Sequence, residues 1–108
     1  MDQLMTLGQL QPTAATLTPI YTVPSATSAV VSSIIVCNTS SSADTFSITL
    51  AINSASFTSQ QYLFYQLAIS VNDTFVASVG ISMAANDQIS VYSGSGNVAF
   101  TISGVQIT

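Results

Sequence analysis

Proton transfer or nucleophilic attack in this 108-residue chain would fall to four aspartates, four tyrosines and one cysteine, because it has no His, Lys, Arg or Glu. General acid–base catalysis needs a proton carrier tuned toward neutral pH beside the reacting group. A lone aspartate ionises well below that range, and a thiolate or an activated hydroxyl needs a His or a cationic neighbour. Asp44, Asp73 and Asp87 each stand at the entrance to a β-forming run, where a carboxylate ordinarily caps a turn. Only a converging carboxylate pair among them would be catalytic, and the chain reads as a non-enzyme. Cys37 lies inside a β-branched run and reads as a small buried hydrophobe. As the only cysteine it cannot form an intramolecular disulfide.

Metal and phosphate chemistry are equally short of ligands. Zinc wants clustered Cys and His, which are absent. Calcium takes carboxylate and carbonyl oxygens, so Asn72 with Asp73, or Asn86 with Asp87, could contribute to a site between subunits. No spacing resembles a calcium loop, and no metal or cofactor is expected. The run "GSGN" falls between strands and not ahead of a helix, so it is a turn and no phosphate cradle. Sugar recognition has better material. The stretch "QQYLFYQ" places Gln60, Gln61, Tyr62, Tyr65 and Gln66 close together, an aromatic platform with amide hydrogen-bonders, although Trp is missing. The same pattern suits a strand packed on both faces, and core or subunit interface is the favoured reading for Tyr62 and Tyr65. Sequons at Asn38 and Asn72 arise readily in a chain this rich in Ser and Thr, and no function is assigned to them.

The elements that would position these residues are strands. Short β-forming runs recur at roughly 8–12-residue spacing, the signature of an all-β sandwich or barrel. They are "PIYTV", "AVVSSIIVCN", "DTFSITLAI", "FTSQQYLFYQLAI" (two strands, or one with a bulge), "TFVASVGISM", "QISVYS", "VAFTIS" and a final "VQIT" after a bend at Gly104. Alternation puts Phe46, Ile48, Leu50 and Ile52 on one face, with Thr45, Ser47 and Thr49 on the other. Phe75, Ala77, Val79 and Ile81 share a face, as do Ile89 with Val91, and Val98, Phe100 and Ile102. The expectation is an antiparallel two-sheet β-sandwich or jelly roll of seven or eight strands over residues 19–108. Residues 1–18 read as an extended N-terminal arm, with Gln3, Leu4, Leu7 and Leu10 as candidates to dock on another surface.

Charged residues make up 4% of the chain, against roughly 25% in ordinary soluble domains. Ser and Thr fill the gap at about 29%, so solvation must come from hydroxyls and amides. With a net charge of −4 and no cation, phosphate recognition and attraction to anionic lipid lose their basis. No nucleic-acid or membrane partner is expected. No apolar run reaches the length of a membrane helix, and the N-terminus shows neither the basic nor the apolar region of a signal peptide.

Natural sheets guard free edges with Lys, inward charges or Pro, devices this chain almost lacks. The run "AVVSSIIVCN" reads as apolar on both faces, with Val30, Ile34 and Val36 pointing one way and Val31, Ile35 and Cys37 the other. One face would fill the core, leaving Val31 and Ile35, together with Tyr62 and Tyr65, as a candidate subunit interface. A symmetric homo-oligomer, or docking on a larger assembly, is expected.

Across "YTVPSATSAVVSSIIVCNTSSSADTFSITL" the sequence resembles small β-rich virion proteins of tailed bacteriophages, including those of cyanobacteria. The stretches "QQYLFYQLAISVNDTF" and "AANDQISVYSGSGNVAFTISG" are similar to that family's later hairpins. Relatives often carry a basic residue after the Cys-Asn pair, where Thr39 stands here. The resemblance implies a capsid decoration (cement) protein located on the virion and made in the host cytoplasm. It would bind the major capsid protein as a homo-oligomer, a trimer before a dimer. The alternative from another class is an adhesion module of a tail fibre or baseplate that binds host glycans.

Overall fold

The computed structural model describes residues 2–108. Eight strands form two antiparallel four-stranded sheets. The strands are β1 (Asp2–Leu10), β2 (Thr18–Thr22), β3 (Ser28–Asn38), β4 (Asp44–Ala51), β5 (Tyr62–Ile69), β6 (Thr74–Met83), β7 (Gln88–Ser93) and β8 (Val98–Ile107). Sheet A runs β1-β8-β3-β6 and sheet B runs β2-β7-β4-β5. Only β4 and β5 are successive strands of one sheet; every other connection carries the chain across to the opposite sheet. The result is the expected β-sandwich.

The core follows from alternation. Phe46, Ile48, Ile89 and Val91 point inward from sheet B, and Val31, Ile34, Val36, Val98, Phe100 and Ile102 from sheet A, all at 0% exposure. Four phenylalanines tie the sheets together. Phe46 lies 5.5 Å from Phe75 and 6.0 Å from Phe100 between ring centroids, and Phe64 lies 5.8 Å from Phe75. Burying each such side chain stabilises the fold by about 1.5–3 kcal/mol. Turns recur in one form: Asn72 and Asn86 adopt φ of 54° and 71°, and the following aspartate N–H closes back on Ser70 or Ala84. Asn tolerates that left-handed geometry better than most residues.

Three expectations are corrected. Residues 2–10 form an edge strand of sheet A and not a free arm. They pair with β8 from Asp2–Ile107 through Leu10–Phe100, with Leu7 as an extra residue at a bulge. That bulge breaks the spacing of Met5, Leu7 and Leu10, so the apolar stripe does not read as a strand in the sequence. Leu7 is in the core, Leu10 packs against it, and Gln3 and Leu4 are exposed. Second, the paired serines of β3 form a bulge, where Ser32 is an extra residue between Val31–Gly104 and Ser33–Ser103. The bulge flips the phase, so Val31 shares the inner face with Ile34 and Val36, while Val30 joins Ile35 and Cys37 outside. Third, Ile52 leaves the face it was expected to share with Phe46 and Ile48, because the chain turns through left-handed Asn53 and Ser54 and leaves Ile52 64% exposed.

Candidate functional site

The outer face of sheet B carries the site, and two bulges in β5 make it. Ile48 and Thr49 of β4 pair with Phe64 and Tyr62, so Leu63 is an extra residue. Phe46 pairs with Leu67 and Ile48 with Phe64, leaving Tyr65 and Gln66 opposite the single residue Ser47. Strict alternation would send Tyr62 and Tyr65 to opposite faces. With the phase shifted twice, Phe64 and Leu67 pack on the core, while Tyr62 and Tyr65 come together outside with centroids 4.5 Å apart at 60°. The second bulge holds Gln66 at φ 45°, a left-handed geometry costing about 1–2 kcal/mol for a residue with a Cβ. Its backbone N–H donates to Ser47 Oγ at 2.9 Å, which satisfies the amide that the bulge removes from the ladder.

Two connecting segments wall this face. Residues 11–17 are pinned by the Ala15 N–H to the Ser93 carbonyl (2.9 Å) and by Gln11 Nε2 to the Gly96 carbonyl (2.9 Å). Residues 52–61 are held by the buried Asp87, whose carboxylate accepts the Asn53 and Ala84 N–H groups at 2.9 Å each. Between the walls lies a trough of about 470 Å³, floored by Ser47 and lined by Leu17, Phe57, Tyr62, Tyr65, Gln66 and Tyr92. That volume falls within the roughly 300–1,000 Å³ of small-molecule sites. Phe57 stands edge-on to Tyr62 at 5.3 Å and 76°, and Tyr65 is 60% exposed. Every lining residue is uncharged. Gln60 and Gln61, grouped with the tyrosines in the sequence, lie aside. Gln61 donates to the Ser56 carbonyl at 2.9 Å, and both border a separate shallow recess beside Ile52.

The outer face of sheet A is different in kind. Among the described residues no segment covers it, since Leu4, Thr6, Gln9, Ile35, Val76 and Ser78 are all exposed, and its residues run in cross-strand rows. Thr6, Ser103, Ser33 and Ser78 form a hydroxyl row, with Ser33 and Ser103 Oγ atoms 2.7 Å apart. Gln9, Thr101, Ile35 and Val76 form the next row. Leu4 is 79% exposed, Val76 61% and Ile35 40%. Cys37 is half-buried on this face between Thr74 and Ala99, not in the core as expected.

The four residues proposed as one subunit interface therefore separate. Val31 is in the core, Ile35 is outside sheet A, and Tyr62 and Tyr65 are outside sheet B. The remaining polar candidates are structural. Asp44 accepts from Ser95 Oγ (2.6 Å), Thr45 N (2.7 Å) and Ser93 Oγ (2.9 Å). Burial acts to raise its pKa, but those donors outweigh it and hold the carboxyl below its usual value. Asp73 caps its own turn by accepting the Thr74 N–H at 2.8 Å. Asn38 is 1% exposed, and its amide donates to the Ser42 and Ser70 carbonyls, so this sequon holds a loop and presents no acceptor to solvent. Among the described residues, no three His, Cys, Asp or Glu side chains come close enough to hold a metal. Nor, among the described residues, is any helix long and apolar enough to cross a membrane.

Sequence reasoning passed over Phe57, Tyr92 and Ser47. Tyr92 was recoverable, because Ile89 and Val91 facing inward put it outside. Alternation along β4 likewise put Ser47 outside, whereas Phe57 carries no such signal, since it owes its place to the connection that folds back over sheet B. No protein-family model matches this chain, and no curated protein matches it.

Proposed function

We propose that the chain is a non-enzymatic assembly protein of a virus particle, a capsid decoration protein that binds the major capsid protein on the outer shell as a homo-oligomer, a trimer before a dimer. The observation that carries this reading is the bare outer face of sheet A. It carries exposed Leu4, Ile35 and Val76 among hydroxyl side chains. Burial of such a surface is favourable in proportion to its apolar area, and no Lys or Arg must be desolvated on the way. The absence of cations also leaves nothing to steer a dissolved anionic substrate, which suits a protein whose partner is a fixed lattice. The resemblance to small virion proteins points the same way. Electron microscopy of the particle that carries the protein tests it. Many copies in a regular lattice over the shell support the proposal; a few copies confined to a tail overturn it.

A second reading, an adhesion module of a tail fibre or baseplate, is favoured by one observation, the exposure of Tyr65. It predicts the scarce, tail-confined copies that the first reading forbids.

A further inference from the structure

The trough outside sheet B has a chemistry that does not depend on where in a particle the chain resides. We infer that it is a binding site for a neutral saccharide, one or two pyranose rings in length. The ring faces of Tyr62 and Tyr65 supply the apolar surface on which the C–H face of a sugar packs, since the electron-rich faces of aromatic rings attract partially positive C–H groups. Phe57, edge-on to Tyr62, closes one end. Around this platform stand groups that match hydroxyl pairs. The Gln66 amide both donates and accepts, and so do the phenol hydroxyls of Tyr65 and Tyr92. Ser47, 3% exposed at the floor, already accepts the Gln66 N–H, which leaves its own hydroxyl proton to donate. Apolar walls with a few convergent polar groups are the usual make-up of a ligand site.

Two features argue against the trough being incidental. Tyr62 and Tyr65 share a face only because Leu63 bulges β5 between them, and bulges that re-aim side chains concentrate beside functional sites. The second bulge also keeps Gln66 in an unfavourable backbone geometry that a shorter strand register would avoid. The ligand class follows from charge. With no cation anywhere in the chain, a sulfated, phosphorylated or uronic sugar would lose its solvation without a partner.

The test is a titration of the intact protein with neutral trisaccharides of glucose, galactose and mannose, and with trigalacturonic acid as the anionic counterpart. There is no Trp, and three of the four tyrosines line the trough, so tyrosine emission reports on it directly. Amide N–H shifts locate the response. The expected result is saturable binding of at least one neutral sugar with Kd on the order of 1 mM, with shifts centred on Ser47, Gln66 and Tyr92. Tyr65→Ala, at an exposed position that leaves folding intact, weakens binding by about tenfold or more. Tyr65→Phe, which keeps the platform, weakens it less, and Ser41→Ala, exposed in the loop between β3 and β4, leaves it unchanged. The inference is overturned by no saturable response to any neutral sugar at about 50 mM, by binding that survives Tyr65→Ala, or by equal affinity for the galacturonic trimer.

Discussion

The two outer faces of this sandwich are built from the same uncharged alphabet and end up as opposites. Outside sheet A the strands leave hydroxyls and aliphatic side chains in open rows. Outside sheet B a doubly bulged strand and two folded-back segments gather aromatics around a recess floored by Ser47. Composition explains part of the difference, since aliphatic side chains stand outside sheet A and tyrosines outside sheet B. Bulge placement explains the rest. In sheet A the bulges of β1 and β3 sit side by side across the β8 segment Ile102–Gly104, so the whole sheet bends together and its outer surface stays continuous. In sheet B the β5 bulges face an unbulged stretch of β4 opposite β7, so the phase shifts stay in the edge strand and bring Tyr62 and Tyr65 together outside it.

Changes that disturb each device sharpen that contrast. The largest effect is expected at Gly104, where a Cβ would run into the Val30 carbonyl and the Val31 Cα at the bulge line of sheet A. Gly104→Ala should destabilise the fold by about 3 kcal/mol, read from urea unfolding followed by circular dichroism. A cost near zero would mean that the sheet A strands do not cross there as described. Next comes the phase of β3. Val31→Thr buries a hydroxyl in the core and should cost about 1–3 kcal/mol, whereas Val30→Thr should stay within about 0.5 kcal/mol. Equal costs for these neighbours would remove the serine bulge.

On sheet B the corresponding probe is Gln66. A β-branched residue is poorly tolerated at positive φ, so Gln66→Val should cost about 1–2 kcal/mol, while Gln66→Gly should cost nothing. If both variants behave alike, the bulge that aims Tyr65 is absent in solution. The smallest effect belongs to Asp44. Its folded-state pKa lies below its ordinary value, so its contribution is full above the unfolded value of about 3.9 and is lost as pH falls through the lower folded value. Stability measured from pH 6 downward should therefore hold and then decline below about pH 4, with a shallower decline in Asp44→Asn. An identical acid limb in the variant would show that the Ser93, Ser95 and Thr45 donors do not hold a charge.

Much of the fold was legible wherever alternation ran unbroken. The runs Thr74–Met83 and Gln88–Ser93 match their strands to the residue, and Phe46, Ile48, Val98, Phe100 and Ile102 fell on the core face as their spacing required. What stayed hidden was set by single extra residues. One at Leu7 disguised a strand as an arm, one at Ser32 exchanged Val30 for Val31, and those in β5 turned a stretch that read as two-sided packing into a surface cluster. A bulge costs one residue of sequence and reverses every side chain beyond it. The trough was half visible: Tyr62, Tyr65 and Gln66 stood out as a group and alternation put Ser47 outside, while Phe57 joins them only through tertiary return of the chain.

The claim that sheet A associates while sheet B stays open is tested most directly by light scattering at micromolar concentration on the wild type, on Ile35→Ser with Val76→Ser, and on Tyr65→Ala. The wild type and Tyr65→Ala should be the same oligomer, and the sheet A double variant should be a monomer that still unfolds cooperatively. A monomeric wild type would contradict the claim, and so would an oligomer that tolerates the sheet A changes but falls apart in Tyr65→Ala.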